Sequence, residues 1–242
     1  MKSLLYSNIL TKNQILLSKT KHSCITFLWK IKNFFHQNGK LRTSIFLLLS
    51  IFSLSICFYI DLPLQRRLPF LSYKSRMLWN LFSFLGSPTL HGIGWLIGAI
   101  TIKRERKQFG IITGMVWITS LLSGAGKIVI GRARPNPLFI VSEVKFFPLH
   151  FSDHFHSFPS QHAAVAFGVA YLLNILYHSC FLSFLMQFLW YGVAFLIAIS
   201  RLFLHRHYLT DVMGGAFLGI IVAKLSCVIF PILIQKIFIK EQ

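Results

Sequence analysis

A histidine and an aspartate four residues apart, His207 and Asp211, form the pair in this chain with the clearest chemical potential. On a helix the two share a face, so the carboxylate can hold one imidazole nitrogen as N–H and direct the other outward as a nucleophile. His205 has Leu209 at the equivalent position and lacks such a partner, so the spacing favours His207. A purely structural His–Asp hydrogen bond that ties two segments together is the alternative interpretation.

Two further stretches carry groups suited to binding an anion. Lys127 is followed seven residues later by Arg134, two helical turns on if the helix persists, so both charges can face one site. Taken alone, either residue is equally consistent with a charge that extends to the membrane interface. Ser160 precedes an apolar run and is typical of a helix N-cap, beyond which backbone N–H groups form a phosphate site. His162 stands in the first turn of that predicted helix.

Phosphoryl transfer requires the residue types that these stretches supply together. Cations such as Lys127, Arg134 and Arg201 neutralise the non-bridging oxygens, and helix N–H groups add donors. One base attacks phosphorus and one acid protonates the leaving oxygen. Arginine is especially suited because its planar guanidinium matches two phosphate oxygens at once. The three stretches therefore predict a phosphoryl-transfer site.

The elements that must position these residues are predicted to be membrane helices. Hydrophobic residues make up 55% of the 242 residues, and the mean hydropathy is +0.63, which is far from a soluble globular protein. A helix that crosses a bilayer needs about 20 mostly apolar residues. Six runs of roughly that length lie at approximately 43–60, 82–102, 109–130, 162–180, 182–200 and 212–233. We expect an all-α integral membrane six-helix bundle.

The charge pattern predicts an orientation and disfavours nucleic acid as a partner. The 25 Lys and Arg residues flank apolar runs instead of sharing a soluble face, which favours a membrane. The positive-inside rule places the basic segment 1–42, the loop 103–107 and the tail 234–242 on the cytoplasmic side, with the six-span domain at 43–233. Within the first segment, residues 25–35 suit either a helix in the membrane interface or an unstructured basic tail. The loops 61–81, 131–161 and 201–211 then face outward, although the first carries four basic residues and weakens the bias.

The sequence predicts neither a metal nor a cofactor. The four cysteines show no ligand spacing. His154, His156 and Asp153 stand close together, but their spacing matches no common tetrahedral zinc pattern. We expect the stretch 146–156 to be an aromatic interfacial loop that covers the site.

In order and internal spacing, the three stretches resemble the signature of the type 2 phosphatidic acid phosphatase and haloperoxidase superfamily. That signature reads K-x6-R-P, then P-S-G-H, then S-R-x5-H-x3-D, and the resemblance covers about residues 82 to 233, with the signature itself at 127–211. Gln161 departs from it by replacing the usual glycine, and either narrows the pocket or donates a hydrogen bond to the phosphate or leaving group. The matching residues are Lys127, Arg134, Pro135, Pro159, Ser160, His162, Ser200, Arg201, His207 and Asp211.

The resemblance implies a metal-independent lipid phosphatase. By that resemblance His207 attacks phosphorus and forms a phosphohistidine, Asp211 orients it, and His162 protonates the departing alkoxide before activating water. Two histidines in different surroundings can hold the two protonation states that these roles need. The residues expected to bind the substrate are Lys127, Arg134, Ser160, Gln161 and Arg201.

The implied substrate is a lipid monophosphate or diphosphate, hydrolysed at the periplasmic or extracytoplasmic face of the inner (plasma) membrane. Phosphatidylglycerophosphate, phosphatidic acid, undecaprenyl diphosphate and lipid A phosphates all suit the residues. Two alternatives stay open: phosphotransfer to another lipid or sugar hydroxyl by the same site, and a catalytically silent lipid-binding or transport protein. Haloperoxidase chemistry is disfavoured because that branch of the superfamily is soluble.

Overall fold

The computed structural model describes residues 40–69, 71–135, 144–177 and 183–239, and within them the chain is all-α, as predicted. Most of the predicted basic segment 1–42 and the end of the predicted tail 234–242 lie outside these ranges. Residues 46–230 form one compact unit, which contains every predicted site residue. The helices are α1 Lys40–Arg67, α2 Tyr73–Leu85, α3 Pro88–Thr101, α4 Arg106–Ile130, α5 Gln161–Leu176, α6 Ser183–Phe203 and α7 Leu209–Ile239, with 3-10 turns at Lys103–Glu105 and Asp153–Phe155.

Four helical segments in the described part of the chain are long and apolar enough to cross a membrane, where the sequence predicts six. They are Leu47–Arg67, Lys103–Ile130, Leu185–Phe203 and Leu209–Phe230. The other two predicted spans, 82–102 and 162–180, correspond to α3 and α5, which have 14 and 16 residues. At 1.5 Å per residue they measure about 21 and 24 Å, less than the roughly 30 Å of a hydrocarbon core.

The predicted span 82–102 is divided by a turn at Gly86 and Ser87. Gly86 is the C-cap of α2, and its N–H donates back to the Phe82 carbonyl. Pro88 then begins α3. Proline has no N–H and its ring collides with a preceding helical turn, so it can start a helix but not continue one. A hydropathy window averages over this break, which explains the wrong prediction of one continuous helix.

Small residues hold α5 against its neighbours. Ala166 and Ala170 of α5 form a buried cluster with Ala194 and Ile197 of α6. Because alanines have short side chains, the two helix backbones pack closely along this contact. The first turn of α5, which carries His162, is thereby fixed against α6.

Two glycines of α7 let it approach α5 even more closely. A Cβ atom on Gly215 would lie 2.3 Å from the Ser160 carbonyl oxygen, and one on Gly219 would lie 1.9 Å from the Ala164 carbonyl oxygen. Neither contact is physically possible, so only glycine fits at these positions. Their four-residue spacing is the small-residue pattern that packs membrane helices together. It brings the beginning of α7, with Asp211, beside the beginning of α5.

The loop after α4 folds back on the segment that ends the helix. The Phe147 N–H donates to the Gly131 carbonyl at 2.7 Å, and the Ser157 N–H donates to the Arg132 carbonyl at 3.0 Å. Gly131 has φ +59, and a Cβ there would lie 1.7 Å from the Phe147 carbonyl oxygen, so glycine is required. Beyond this anchor, Phe151 is 79% exposed. The predicted interfacial role of this aromatic loop stays a prediction.

A Schellman motif ends α6 and turns the chain toward α7. The Arg206 N–H donates to the Arg201 carbonyl at 3.0 Å, and the His205 N–H donates to the Leu202 carbonyl at 2.9 Å. His205 occupies the left-handed position with φ 51, a conformation that histidine adopts more readily than most residues. The motif reverses the chain within a few residues, so His207 returns to the end of the helix that carries Arg201.

Candidate active site

His207 is buried, and its hydrogen bond determines which ring nitrogen carries the proton. Nδ1 lies 2.7 Å from the Ser157 carbonyl oxygen, whereas the nearer Asp211 carboxylate oxygen is 3.7 Å away. A carbonyl can only accept, so Nδ1 must be the N–H and Nε2 keeps its lone pair. The backbone of Ser157 therefore makes the orienting hydrogen bond that the sequence assigned to Asp211, and the carboxylate acts on the ring from ion-pair distance.

His207 is held in its neutral form. Burial lowers the pKa of His207 to about 4; the Asp211 carboxylate acts in the opposite direction, and Arg201 and Arg134 add to the lowering. At neutral pH the imidazole is therefore uncharged. A neutral ring with a fixed Nδ1–H and an available Nε2 has the protonation state that a nucleophile needs.

Asp211 is fully buried and accepts three hydrogen bonds besides its contact with His207. Arg132 Nη1 and Ser157 Oγ each donate at 2.5 Å, and the Tyr208 backbone N–H donates at 2.8 Å. The Arg132 contact is a buried ion pair. A buried carboxylate is stable only when paired and hydrogen-bonded, and here every donor also fixes its direction.

The same guanidinium pairs with a second buried carboxylate, Asp61 of α1. Arg132 Nη2 lies 2.6 Å from Asp61 Oδ2, and Arg132 Cζ lies 4.5 Å from the centre of the Tyr208 ring. Asp61 also accepts the Thr210 backbone N–H at 2.9 Å and the Thr210 hydroxyl. The Asp61–Arg132–Asp211 triad thus joins α1, the end of α4 and the first turn of α7.

Sequence reasoning missed Asp61, Arg132 and Ser157 as members of the site. Asp61 did leave a signal, because it is one of only 6 acidic residues in the chain and follows an apolar run, where a carboxylate needs a partner. Arg132 stands two residues before Arg134, and the spacing to Lys127 and Pro135 selects Arg134 instead. Ser157 acts through its backbone carbonyl and its hydroxyl. A backbone carbonyl leaves no trace in residue type.

The structure brings the two predicted histidines and the predicted cations together. His162, in the first turn of α5, interacts electrostatically with Arg201, His207, Lys127 and Arg134. Lys127 interacts in the same way with Arg134 and Arg201. These residues come from the ends of α4, α5 and α6 and from the segments that follow α4 and α6. They lie close enough to interact through their charges.

Two buried donors of the predicted site have no hydrogen-bond partner among the described residues. They are Ser160 Oγ and Arg201 Nε. Arg201 is anchored through Nη1, which donates to Ser83 Oγ of α2. Ser160 occupies the N-cap position of α5, as predicted, but its side chain makes no capping bond. Because buried donors are rarely left unpaired, these two fit a ligand that brings acceptor oxygens.

Gln161 and Arg134 are directed by neighbouring carbonyls. The Gln161 side-chain amide lies 3.5 Å from the Ser120 carbonyl oxygen, so it turns toward α4. Arg134 Nε donates to the Asp153 carbonyl at 2.8 Å. The two effects predicted for Gln161, a narrower pocket or a hydrogen bond to the ligand, stay predictions.

Two histidines of the aromatic loop, His150 and His156, make their contacts within the loop. His156 Nε2 lies 2.9 Å from the His150 carbonyl oxygen, and its Nδ1 lies 3.4 Å from Asp153 Oδ1. His150 in turn packs against the Phe155 ring, with centres 4.4 Å apart. Across the described ranges, no three His, Cys, Asp or Glu side chains converge as metal ligands would.

Known proteins share this region of the chain. A family model described as the PAP2 superfamily matches residues 108–234, which include every predicted site residue but not Asp61. Lipid A 1-phosphatase from Porphyromonas gingivalis is 34% identical over 107 residues, covering 42% of this chain and 19% of that protein. Lipid A 1-phosphatase from Rhizobium johnstonii is 30% identical over 115 residues, covering 48% of this chain and 45% of that protein. The chain therefore matches less than half the length of either relative.

A solved structure extends the similarity beyond the region of the family model. The crystal structure of Aquifex aeolicus LpxE superposes with a TM-score of 0.51 at 25% identity. The match covers 69% of this chain and 94% of that one. The fold is therefore similar to that of Aquifex aeolicus LpxE over about two thirds of this chain.

Proposed function

Because this chain belongs to the PAP2 superfamily, and is a multi-pass membrane protein, we propose that it hydrolyses a phosphate ester or diphosphate of a membrane lipid. The observation that carries the proposal is the neutral, buried His207, whose Nδ1 is committed to the Ser157 carbonyl. Nε2 is then available for attack beside a group of cations and unpaired donors. No metal enters the proposed reaction.

In the first step, His207 Nε2 forms a bond to phosphorus while the bond from phosphorus to the lipid oxygen breaks. His162 gives a proton to that leaving oxygen; burial and the neighbouring cations disfavour a proton on His162 in the empty site, so the negative charge of the bound phosphate must hold that proton there. The phosphorylated imidazole keeps its Nδ1–H and becomes cationic. The Ser157 carbonyl at 2.7 Å and the Asp211 carboxylate at 3.7 Å stabilise that charge.

In the second step, the now neutral His162 takes a proton from water as the water oxygen attacks phosphorus. The bond between nitrogen and phosphorus breaks, and inorganic phosphate and neutral His207 result. Lys127, Arg134 and Arg201 neutralise the phosphoryl oxygens through both steps, and Ser160 Oγ and Arg201 Nε donate to them. The site returns to its starting protonation.

The substrate is proposed from the relatives and from the membrane setting. The two curated relatives act on lipid A by name, so a lipid A phosphate is the first candidate. Phosphatidylglycerophosphate, phosphatidic acid and undecaprenyl diphosphate offer the same phosphoryl chemistry and are the further candidates. Each would reach the site from the bilayer.

The topology is also part of the proposal. The site is built from one end of each of α4, α6 and α7, and the basic turn Lys103–Glu105 stands at the opposite end of α4. The positive-inside rule then places that turn in the cytoplasm and the site at the extracytoplasmic face. In this arrangement α3 and α5 complete a six-helix bundle as short, partly inserted helices.

Phosphate release by purified protein in detergent micelles tests the reaction. Wild type is expected to release inorganic phosphate from at least one candidate lipid, and His207→Gln is expected to lower the rate by about a thousandfold or more. His91→Gln is the matched control. His91 lies in α3, away from the site, and its Nδ1 accepts a hydrogen bond from Trp95 Nε1 at 3.1 Å. Unchanged release by His207→Gln would favour a lipid-binding protein, and labelled phosphate recovered on another lipid would favour phosphotransfer.

A further inference from the structure

A polar cavity opens beside the candidate active site. Its volume is about 500 Å³. Pockets of roughly 300–1,000 Å³ hold small-molecule ligands in proteins, so this one accommodates far more than a single phosphate group. It lies between α2, the segment after α4, the loop before α5 and the turn between α6 and α7. Its polar lining residues are Arg76, Asn80, Arg134, His154, His205 and Arg206.

The lining of this cavity is strongly positive. It includes three guanidinium groups and no carboxylate. Among the described residues, none of Arg76, Arg134 and Arg206 forms an ion pair with an acid, whereas Arg132 forms two. Arginines gathered without an ion-pair partner repel one another, so their grouping is explained best by an anionic ligand. A neutral sugar alone would leave the three guanidinium groups without such a partner.

The cavity is joined to the candidate active site through Arg134 and Arg206. Arg134 lines the cavity and also acts electrostatically on His207. Arg206 directly precedes His207, and its N–H donates to the Arg201 carbonyl at 3.0 Å. A headgroup whose phosphate sits at His207 therefore has the cavity as its immediate neighbour.

The α2 wall of the cavity is held firmly in place. Arg76 and Asn80 are four residues apart and share one face of α2. On the same helix, Trp79 stacks on Phe203 of α6 with ring centres 4.6 Å apart, and Ser83 Oγ accepts a hydrogen bond from Arg201 Nη1. The residue that binds the reacting phosphate thus also anchors the helix that carries Arg76.

From these observations we propose that the cavity binds a second phosphate of the same lipid headgroup, which makes doubly phosphorylated lipids the preferred substrates. The proposal rests on the function proposed above and narrows its substrate class. Arg76 and Arg206 hold the second phosphate, Asn80 and His154 add hydrogen bonds, and Arg134 bridges the two anions. The second phosphate is either attached directly to the first or separated from it by a spacer such as glycerol or a sugar.

Two matched lipid pairs distinguish these sources. One pair is a diglucosamine lipid with a phosphate at both ends against the same lipid with one phosphate. The other is diacylglycerol diphosphate against phosphatidic acid. The protein variant is Arg76→Gln/Arg206→Gln, and the control is Arg67→Gln/Lys74→Gln, which removes two exposed charges from the same part of the chain without touching the cavity. The measured quantity is kcat/KM for each lipid.

Wild type is expected to prefer the doubly phosphorylated member of one pair, and that pair identifies the source. Arg76→Gln/Arg206→Gln should lower kcat/KM for that member by about tenfold, the effect of losing a charge-assisted hydrogen bond, and leave the singly phosphorylated member unchanged. The control double variant should keep the wild-type preference. A preference that is absent in wild type, or equal in both double variants, overturns the proposal.

A binding measurement separates this proposal from the proposed function. The affinity of His207→Gln for the same lipids in nanodiscs requires no turnover. If wild type hydrolyses no lipid, the proposed function fails. The cavity proposal is still supported if adding Arg76→Gln/Arg206→Gln to the His207→Gln protein weakens its binding of a doubly phosphorylated lipid. Equal binding with and without those two changes overturns the cavity even in an active phosphatase.

Discussion

Arg132 forms two buried ion pairs with a single side chain. Its guanidinium lies between Asp61 and Asp211 and is 2% exposed. Asp211 lies beside the candidate nucleophile His207, and Asp61 belongs to α1. The single positive charge of Arg132 therefore pairs with both carboxylates. Two carboxylates with one guanidinium leave a negative excess. The nearby cations, Lys127, Arg134 and Arg201, offset that excess and remain attractive to phosphate.

At this scale the structure predicts that Asp61 is a positioning residue. Asp61→Asn replaces the carboxylate that accepts hydrogen bonds from Arg132 Nη2 and Thr210 by a neutral amide, so the free energy of unfolding should fall by about 1–3 kcal/mol although Arg132 keeps Asp211 as an ion-pair partner. Phosphate release should also fall, through a lower kcat with little change in KM, because Arg132 loses its fixed direction toward Asp211. Thermal unfolding in detergent and steady-state kinetics measure the two effects.

The control for this prediction is Asp153→Asn. The Asp153 side chain is 95% exposed, and only its backbone carbonyl contacts Arg134. The same chemical change there should leave both stability and kinetics close to wild type. Equal effects at the two positions would contradict the role given to Asp61.

At the scale of the elements, the site depends on how closely α7 approaches α5. The approach is set by Gly215 and Gly219, which face backbone carbonyls of Ser160 and Ala164. The Ser160 N–H also donates to the Asp211 carbonyl at 2.9 Å, which ties the two helix beginnings together. The distance between His162 and His207 therefore depends on how closely α5 and α7 pack.

Gly219→Ala tests this dependence. A Cβ atom 1.9 Å from the Ala164 carbonyl oxygen forces α7 away from α5, so stability should fall by about 1–3 kcal/mol and phosphate release should drop. Gly192→Ala in α6 is the matched control, because nothing lies within 4 Å of its Cβ position. There the change should stabilise slightly, since alanine is the better helix former. If Gly219→Ala is as active and stable as Gly192→Ala, close packing is not what aligns the site.

At the scale of the whole molecule, the orientation in the membrane decides which lipid leaflet supplies the substrate. Single cysteines in a cysteine-free background report it: Asp153→Cys beside the site and Arg104→Cys in the basic turn, whose side chains are 95% and 94% exposed. A membrane-impermeant maleimide should label Asp153→Cys in intact cells and Arg104→Cys only after permeabilisation. The reverse pattern would put the site in the cytoplasm and refute the proposed topology.

The amino-acid sequence alone determined the features that depend on neighbouring residues. The all-α class follows from long apolar runs, and the N-cap position of Ser160 follows from the apolar run after it. Both are local, so hydropathy and capping suffice to predict them. The four-residue spacing predicted that His207 and Asp211 share a helix face, but His207 precedes α7 and its Nδ1 bonds the Ser157 carbonyl. The family resemblance added the order of the three stretches.

Only the tertiary structure decided which distant groups meet. Asp61 and Arg132 are 71 residues apart, and the Ser157 carbonyl that fixes the His207 tautomer is 50 residues from it. The division of the span 82–102 at Gly86 and Pro88 likewise shows where average hydropathy fails against backbone geometry. Contacts of this kind depend on how helices pack, because the energy of a buried ion pair or of a carbonyl hydrogen bond exists only once the fold has removed both groups from water.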